Sequence, residues 1–172
     1  MKKIVFLFLI TCTFFSCDDG DLTLEEIDLT TDAVVQACVE EAGVTLLFKI
    51  NGAETLILEV PNDLIINEAT EDADTPRVEE LNGAANCYYR SFDTNITSSY
   101  FCDELPSDIA VVLEYTAASG DVEVITTEVL VDGVVTEYQH TILLTNVVFT
   151  GTNGQDVRYN EFPYGTIETP AE

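Results

Sequence analysis

Hydrophobic residues occur along this chain in short runs that are rich in β-branched and aromatic types. Turn-forming residues separate these runs. Runs of this composition are typical of β-strands. The strongest local signal is Asn51-Gly52, which lies between apolar runs at 43–50 and 54–60. Both residue types tolerate positive φ and so match the twist of paired strands. The pattern predicts a hairpin that turns at these two residues.

Three further runs, separated by turn signatures, predict an antiparallel meander. The runs are 109–117, 122–131 and 134–149, and the turns are Ser119-Gly120-Asp121 and Asp132-Gly133. A two-residue turn pairs Val131 with Val134, and alternation then divides the side chains between two faces. The predicted core face holds Ile125, Thr127, Val129, Val131, Val134, Thr136, Tyr138 and His140, and the solvent face holds Thr126, Glu128, Glu137, Gln139 and Thr141. The same register opposes Glu123 with Ile142, so we expect a bulge near Glu123.

The remaining segments are shorter or more polar. A strand is predicted at 86–92, with Tyr88 and Arg90 on one face and Cys87 and Tyr89 on the other. A last run at 156–167 contains Pro163 and Gly165, which favours an edge strand. Residues 61–84 are predicted to form a long acidic loop. Its part at 68–76 lacks the Gly and the bidentate Glu of an EF-hand, which favours a solvated loop, although calcium binding there stays open.

Taken together, the runs predict an all-β protein with a single antiparallel β-sandwich, immunoglobulin-like or of a related type. The N-terminus has a different character. Lys2 and Lys3 precede an apolar run at 4–15 that is too short for a stable membrane span, and the small Ser16 follows. These features predict a signal peptide at 1–16 whose removal leaves Cys17 first. Cleavage before Cys12 would leave a shorter apolar run.

The Ser16-Cys17 junction resembles the lipobox of bacterial lipoproteins, in which the thiol is acylated before cleavage. Phe14 and Phe15 stand where the usual lipobox has Leu and a small residue. The acidic residues that follow resemble the export signal of surface lipoproteins of Bacteroidota; they are Asp18, Asp19 and Asp21. This resemblance implies an outer-membrane lipid anchor at the cell surface. An acidic tether at 17–32 then leads to the domain at 33–168.

A wider resemblance covers most of the mature chain. Its motifs are Ala37-Cys38, Leu46-Leu47-Phe48-Lys49, the stretch 101–106, Tyr138-Gln139-His140-Thr141-Ile142 and the stretch 146–149. In this order they resemble uncharacterised small acidic lipoproteins of flavobacteria, a group with no activity attached.

Three cysteines remain after Cys17 is acylated, and outside the cytoplasm thiols tend to pair. No C-x-x-C spacing occurs, so a structural disulfide is favoured over metal binding or catalysis. Cys87 and Cys102 are the closest pair in sequence. The flavobacterial group, however, carries cysteines at the places of Cys38 and Cys102, and the resemblance therefore implies a Cys38–Cys102 bridge.

Charge and motifs narrow the function classes. The mature part keeps all 32 acidic residues and four basic ones, so its formal charge is −28. Such a surface repels phosphate, which excludes nucleic acid, and membrane attachment must come from the lipid on Cys17. The sequence contains no nucleophile elbow and no phosphate-binding glycine loop. His140, the only histidine, is predicted to be a satisfied strand residue rather than a general base.

We therefore predict no catalytic residue, no metal site and no cofactor. The favoured function is a surface-exposed, non-catalytic binding or display module whose partner is an envelope protein or an extracellular ligand. The alternatives are a structural accessory subunit of an envelope assembly and, less favoured, a small hydrolase that uses two carboxylates.

The first testable prediction is that Cys17 carries a diacyl or triacyl modification. Intact-mass measurement of the protein from the membrane fraction should show the lipid mass and a mature chain that begins at this residue. The Cys17→Ala variant should leave the membrane fraction, because the acidic chain has no other means of attachment. A mature N-terminus elsewhere would contradict the prediction.

Overall fold

The computed structural model describes residues 31–39, 43–72, 75–103 and 108–171. Within these ranges the chain forms eight strands and one short helical turn, α1 (Ser99–Cys102). The strands are β1 (Gln36–Val39), β2 (Val44–Asn51), β3 (Glu54–Pro61), β4 (Arg77–Glu80), β5 (Asn86–Phe92), β6 (Val111–Val131), β7 (Val134–Gly151) and β8 (Asp156–Pro170). No helix in the described ranges is long and apolar enough to span a membrane.

All strands belong to one antiparallel sheet with the order β1-β2-β3-β5-β6-β7-β8, and β4 pairs with β6 outside this path. The all-β antiparallel prediction is confirmed. The separate second sheet of a sandwich is not seen in the described residues, because the single sheet curls over itself. Tyr164 of β8 shows the curl, since its hydroxyl donates to the carbonyl oxygen of Leu56 in β3 at 3.1 Å.

The apolar stretches at 46–48 in β2 and 56–58 in β3 do not alternate with polar residues, because both faces of these strands are covered there. Leu47 and Leu58 pair across the strands and face the main core inside the curl. Phe48 and Ile57 pair on the opposite face, where they form a second cluster. Phe101 of α1 stacks on Phe48 with ring centroids 4.5 Å apart and so shields this outer cluster.

A disulfide joins β1 to α1 beside this cluster. It links Cys38 to Cys102 with their Cα atoms 5.5 Å apart, which confirms the predicted pairing. Cys87 is a free thiol that lies fully buried in the main core.

The predicted β2–β3 hairpin and the predicted faces of β5 are confirmed, the hairpin with a shift of one residue at its turn. The hairpin of β2 and β3 forms, but Asn51 pairs with Glu54, so the turn residues are Gly52 and Ala53, one position later than expected. Gly52 takes the positive φ of 66° that this tight turn requires. In β5 the inward and outward faces alternate as predicted, with Cys87 and Tyr89 buried.

The predicted meander is wrong at Ser119-Gly120-Asp121. The runs on either side of these residues form one strand, β6, and the register with β7 shifts there instead of reversing. Gly120 has φ 125°, and a Cβ on it would lie 2.7 Å from the Cα of Val147. The glycine therefore permits a close approach of two strand backbones at a bulge, not a turn.

The predicted faces of β6 are also wrong. Val131 pairs with Val134 as expected, but a bulge between Val129 and Leu130 moves the register by one residue. The shift leaves Thr136 of β7 without a pairing partner in β6. Farther from the turn, the even-numbered residues of β6 therefore share a face with His140, in place of the odd-numbered ones. Thr126 consequently pairs with His140 and is buried, whereas Ile125 is only partly buried. The bulge expected near Glu123 lies nearer the turn.

The segment at 61–84 is not loop throughout, because β4 pairs with the part of β6 from Asp121 to Val124. Thr75 bonds to Asp72, and Arg77 donates to the carbonyl oxygen of Glu68, so the acidic stretch is tied to its own backbone. Asp74 lies outside the described residues. β8 is an edge strand as predicted, and it extends to Pro170.

The second testable prediction concerns the disulfide. Its 64-residue separation should give a stabilisation of about 4 kcal/mol in the chain-entropy description. We expect reduction to lower the free energy of unfolding of the wild-type protein by about this amount in denaturant titrations. The Cys38→Ala/Cys102→Ala variant is the control, since reduction should not change its stability. Equal responses of the two proteins would contradict the prediction.

Candidate functional site

The candidate site is built around Lys49, a charged residue in the middle of an apolar strand. Lys49 lies in β2 opposite Leu56 of β3, and both residues belong to the inward alternation that also contains Leu47. The lysine is only 6% exposed. A lysine at such a position is rare because its ammonium loses most of its hydration.

The ammonium is held by two backbone carbonyls that lie near opposite ends of the described residues. Its Nζ donates to the carbonyl oxygen of Thr31 at 2.6 Å and to that of Tyr164 at 3.1 Å. Thr31 belongs to the segment that precedes β1, and Tyr164 lies in the edge strand β8. Lys49 thus connects the N-terminal segment of the described domain to the edge of the sheet.

A pocket of about 470 Å³ lies between these two segments. Its walls come from residues 31–35 and 162–166, and Lys49 is its buried polar residue. Gly165 allows the walls to meet, because a Cβ there would lie 2.5 Å from Cγ2 of Val35. The apolar lining includes Val35, Phe162 and Tyr164, whereas Asp32 and Thr166 supply polar groups.

The electrostatics of the pocket are unusual for so acidic a chain. Burial lowers the pKa of Lys49, and the nearby Asp32 carboxylate opposes this shift. Ion pairs do form elsewhere, between Arg90 and Glu114 and between Arg158 and Asp156. Within the described ranges, no carboxylate lies at ion-pair distance from Lys49. An ammonium has three N–H donors, and no acceptor for the third is found among the described residues.

A second polar feature is a chain of hydrogen bonds through His140. The Nη1 atom of Arg77 donates to Oγ1 of Thr126 at 2.8 Å, and this Oγ1 lies 2.8 Å from Nδ1 of His140. On the other side of the ring, Nε2 lies 2.9 Å from Oγ1 of Thr169. The Thr169 hydroxyl donates to Oδ1 of Asn67, so the chain joins β4, β6, β7 and β8 to the loop after β3.

The donors in this chain run in one direction. Arg77 can only donate, so the hydroxyl hydrogen of Thr126 is free to point at Nδ1 of His140. The proton of a neutral imidazole then sits on Nε2 and is donated to Thr169. Burial, and secondarily the positive charge of Arg77, lower the pKa of His140. A neutral ring fits this arrangement.

The surroundings of His140 and of Cys87 restrict the chemistry that these two buried side chains can perform. His140 is 0% exposed and both of its nitrogens are engaged, as expected of a satisfied strand histidine. Burial raises the pKa of the Cys87 thiol, which disfavours the nucleophilic thiolate. The part of the chain that the structure describes contains no cluster of three or more His, Cys, Asp or Glu side chains able to hold a metal ion.

The residues singled out from the sequence and those of the pocket are different sets. Cys38 and Cys102 are brought together, whereas Cys17, Asp18, Asp19 and Asp21 lie outside the described residues. The sequence interpretation did not identify Lys49 as a site residue. Its signal was a single charged residue within the apolar run of β2, at a position that the strand alternation turns inward.

Comparisons with known proteins do not extend this description. No family model matches the chain, and no curated protein and no solved structure matches it. The function must therefore be argued from the residues themselves.

The third testable prediction is a pH dependence of stability that originates at His140. Because its folded-state pKa is lowered from 6.5, the unfolded chain binds the proton first as the pH falls. The contribution of His140 to stability should therefore decrease below about pH 6.5, by at most about 1.4 kcal/mol per pH unit, until its folded-state pKa is reached.

Denaturant titrations between pH 7.5 and 5, values chosen to bracket the ordinary histidine pKa of about 6.5, should be compared for the wild type and His140→Gln. The carboxylates titrate in both proteins, so the difference between the two curves isolates the histidine. A variant curve parallel to that of the wild type, or a wild type that gains stability relative to the variant toward low pH, would show that His140 is not held neutral.

Proposed function

We propose that this protein is an outer-membrane-anchored, cell-surface lipoprotein that acts as a non-catalytic binding or display module. The location is supported by the basic start, the apolar run at 4–15 and the Ser16-Cys17 junction with its following aspartates. The flavobacterial resemblance agrees with this assignment. The acidic stretch at 17–32 supplies a tether between the lipid and the domain.

The observation that carries the binding role is the Lys49 pocket. Its volume of about 470 Å³ lies in the range of small-molecule sites, and it combines apolar walls with one buried charged group. The pocket opens between the segment that follows the tether and the edge strand β8. A ligand there would contact both the start and the end of the folded domain.

The non-catalytic half of the proposal is supported by how the reactive groups are used. Both ring nitrogens of His140 form hydrogen bonds with threonines, and the thiol of Cys87 is buried with a raised pKa. Acid–base catalysis needs a group within hydrogen-bond reach of a substrate, and neither side chain is accessible to one.

An accessory role in an envelope assembly is the second candidate, and one observation favours it. The hairpin of β6 and β7 extends beyond its pairing with β8, which begins at Glu137. Near its tip Leu130, Val131 and Val134 are 56%, 55% and 65% exposed. Clustered exposed apolar side chains are a common feature of protein–protein contacts. Stoichiometric co-purification of an envelope protein that is lost in Leu130→Ser would favour this alternative.

The fourth testable prediction is surface display. Protease added to intact cells should degrade the protein, because the proposed export signal carries it to the outer face. Replacing Asp18, Asp19 and Asp21 with Ala should make it resistant until the envelope is broken. Immunoblots of shaved cells measure both outcomes, and full protection of the wild type in intact cells would contradict surface display.

A matched control removes three carboxylates from the domain surface instead. Glu128, Glu137 and Glu161 are exposed strand residues, so their replacement with Ala changes the net charge equally without touching the tether. This variant should remain sensitive to protease. Protection of the control would indicate that total charge, not the aspartates after Cys17, directs export.

A further inference from the structure

Among the described residues, the Lys49 ammonium has no ion-pair partner of the kind that a buried cation normally has. Its two acceptors are neutral carbonyl oxygens, and no carboxylate among the described residues lies at ion-pair distance. An ammonium without a partner is costly to bury. The mature chain has eight acidic residues for every basic one, so a carboxylate partner within the protein would be easy to supply. One N–H of Lys49 instead has no acceptor among the described residues.

The surroundings of the ammonium restrict what that acceptor can be. Only one N–H remains, because Thr31 and Tyr164 occupy the other two. A phosphate dianion requires several donors, and Asp32 beside the pocket would repel its second charge. A metal cation is disfavoured by the positive charge of Lys49 itself. A monoanion that accepts one strong hydrogen bond fits the site best.

The walls define the rest of the ligand. Val35, Phe162 and Tyr164 are buried apolar or aromatic residues, and Pro163 lies between the latter two. They line the pocket together with Lys49. A short hydrocarbon chain would remove apolar surface from water here, at a gain of about 0.8 kcal/mol for each buried CH₂ group.

We propose that the Lys49 pocket binds a small monocarboxylate with a short apolar chain. The carboxylate accepts the third N–H of Lys49, and the hydrocarbon chain lies against Val35 and Phe162. This inference rests on the binding role proposed above and names the ligand class for that pocket. Asp32 moderates the affinity, because its charge opposes that of the incoming carboxylate.

The test is calorimetric titration of the purified full-length protein with sodium hexanoate at neutral pH. Hexanol and hexylamine have the same chain without the negative charge, and inorganic phosphate has the charge without the chain. We expect saturable binding of hexanoate and at least about ten-fold weaker binding of the other three. Hexanol and hexylamine lose the charge-assisted hydrogen bond to Lys49, and phosphate loses the apolar contacts.

Two variants should change the affinity for hexanoate in opposite directions. Lys49→Met keeps the apolar stem but removes the ammonium, and it should weaken binding by at least about ten-fold. Asp32→Asn keeps Lys49 and removes the opposing charge, so it should strengthen binding at a pH at which Lys49 is protonated. Arg158→Met is the matched control, since it removes a cation from β8 whose side chain is 68% exposed, and it should leave the affinity nearly unchanged.

Several outcomes would overturn the ligand class. They are absence of saturable hexanoate binding, hexanol binding as tightly as hexanoate, and unchanged affinity in Lys49→Met. The Asp32→Asn variant keeps the test valid if Lys49→Met does not fold, because weaker binding in Asp32→Asn also contradicts the proposal. Surface display is measured separately by protease treatment, so failure of hexanoate to bind leaves the proposed location standing. Conversely, a protein that binds hexanoate but is protected from protease in intact cells would support the ligand class and contradict surface display.

Discussion

The contact between Tyr164 and strand β3 is the interaction on which the curl of the sheet depends. The Tyr164 hydroxyl, fully buried, donates to the carbonyl oxygen of Leu56, and burial raises its pKa well above the usual value. Its backbone carbonyl accepts from Lys49 of β2. β8 and β2–β3 lie far apart in the strand order, so flattening the sheet would leave these buried polar groups without partners. The curl, the core and the pocket therefore form together.

The long strands β6 and β7 adapt to this curl through irregularities in their pairing. Register shifts occur near Gly120 and between Val129 and Leu130. Bulges increase the local twist and bend a strand, so these shifts let one pair of strands serve two differently oriented parts of the sheet. The shift nearer the turn also brings Thr126 to face His140. Without it the hydrogen-bond chain through the imidazole would not exist.

Local turn chemistry and strand alternation were readable from the sequence, which is why the β2–β3 hairpin, the faces of β5 and the pairing of Val131 with Val134 were predicted. The bulge between Val129 and Leu130 carries no glycine and no special composition, so its effect on Thr126 could not be anticipated. Gly120 was interpreted as a turn residue because close backbone approach and tight turns both require glycine. The Lys49 pocket depends on contacts between residues more than 100 positions apart, which no local pattern encodes.

The four Lys and Arg residues of the segment 17–172 are divided between two environments. Arg90 and Arg158 form ion pairs with carboxylates, whereas Lys49 and Arg77 bond to uncharged oxygens. The numerous surface carboxylates create a negative potential, which favours the charged form of a buried ammonium even without direct contact. The same potential opposes any anion that approaches the pocket. Affinity for a carboxylate must therefore come from the hydrogen bond to the buried Lys49 ammonium and from the apolar walls. Long-range electrostatic attraction of the anion cannot supply it.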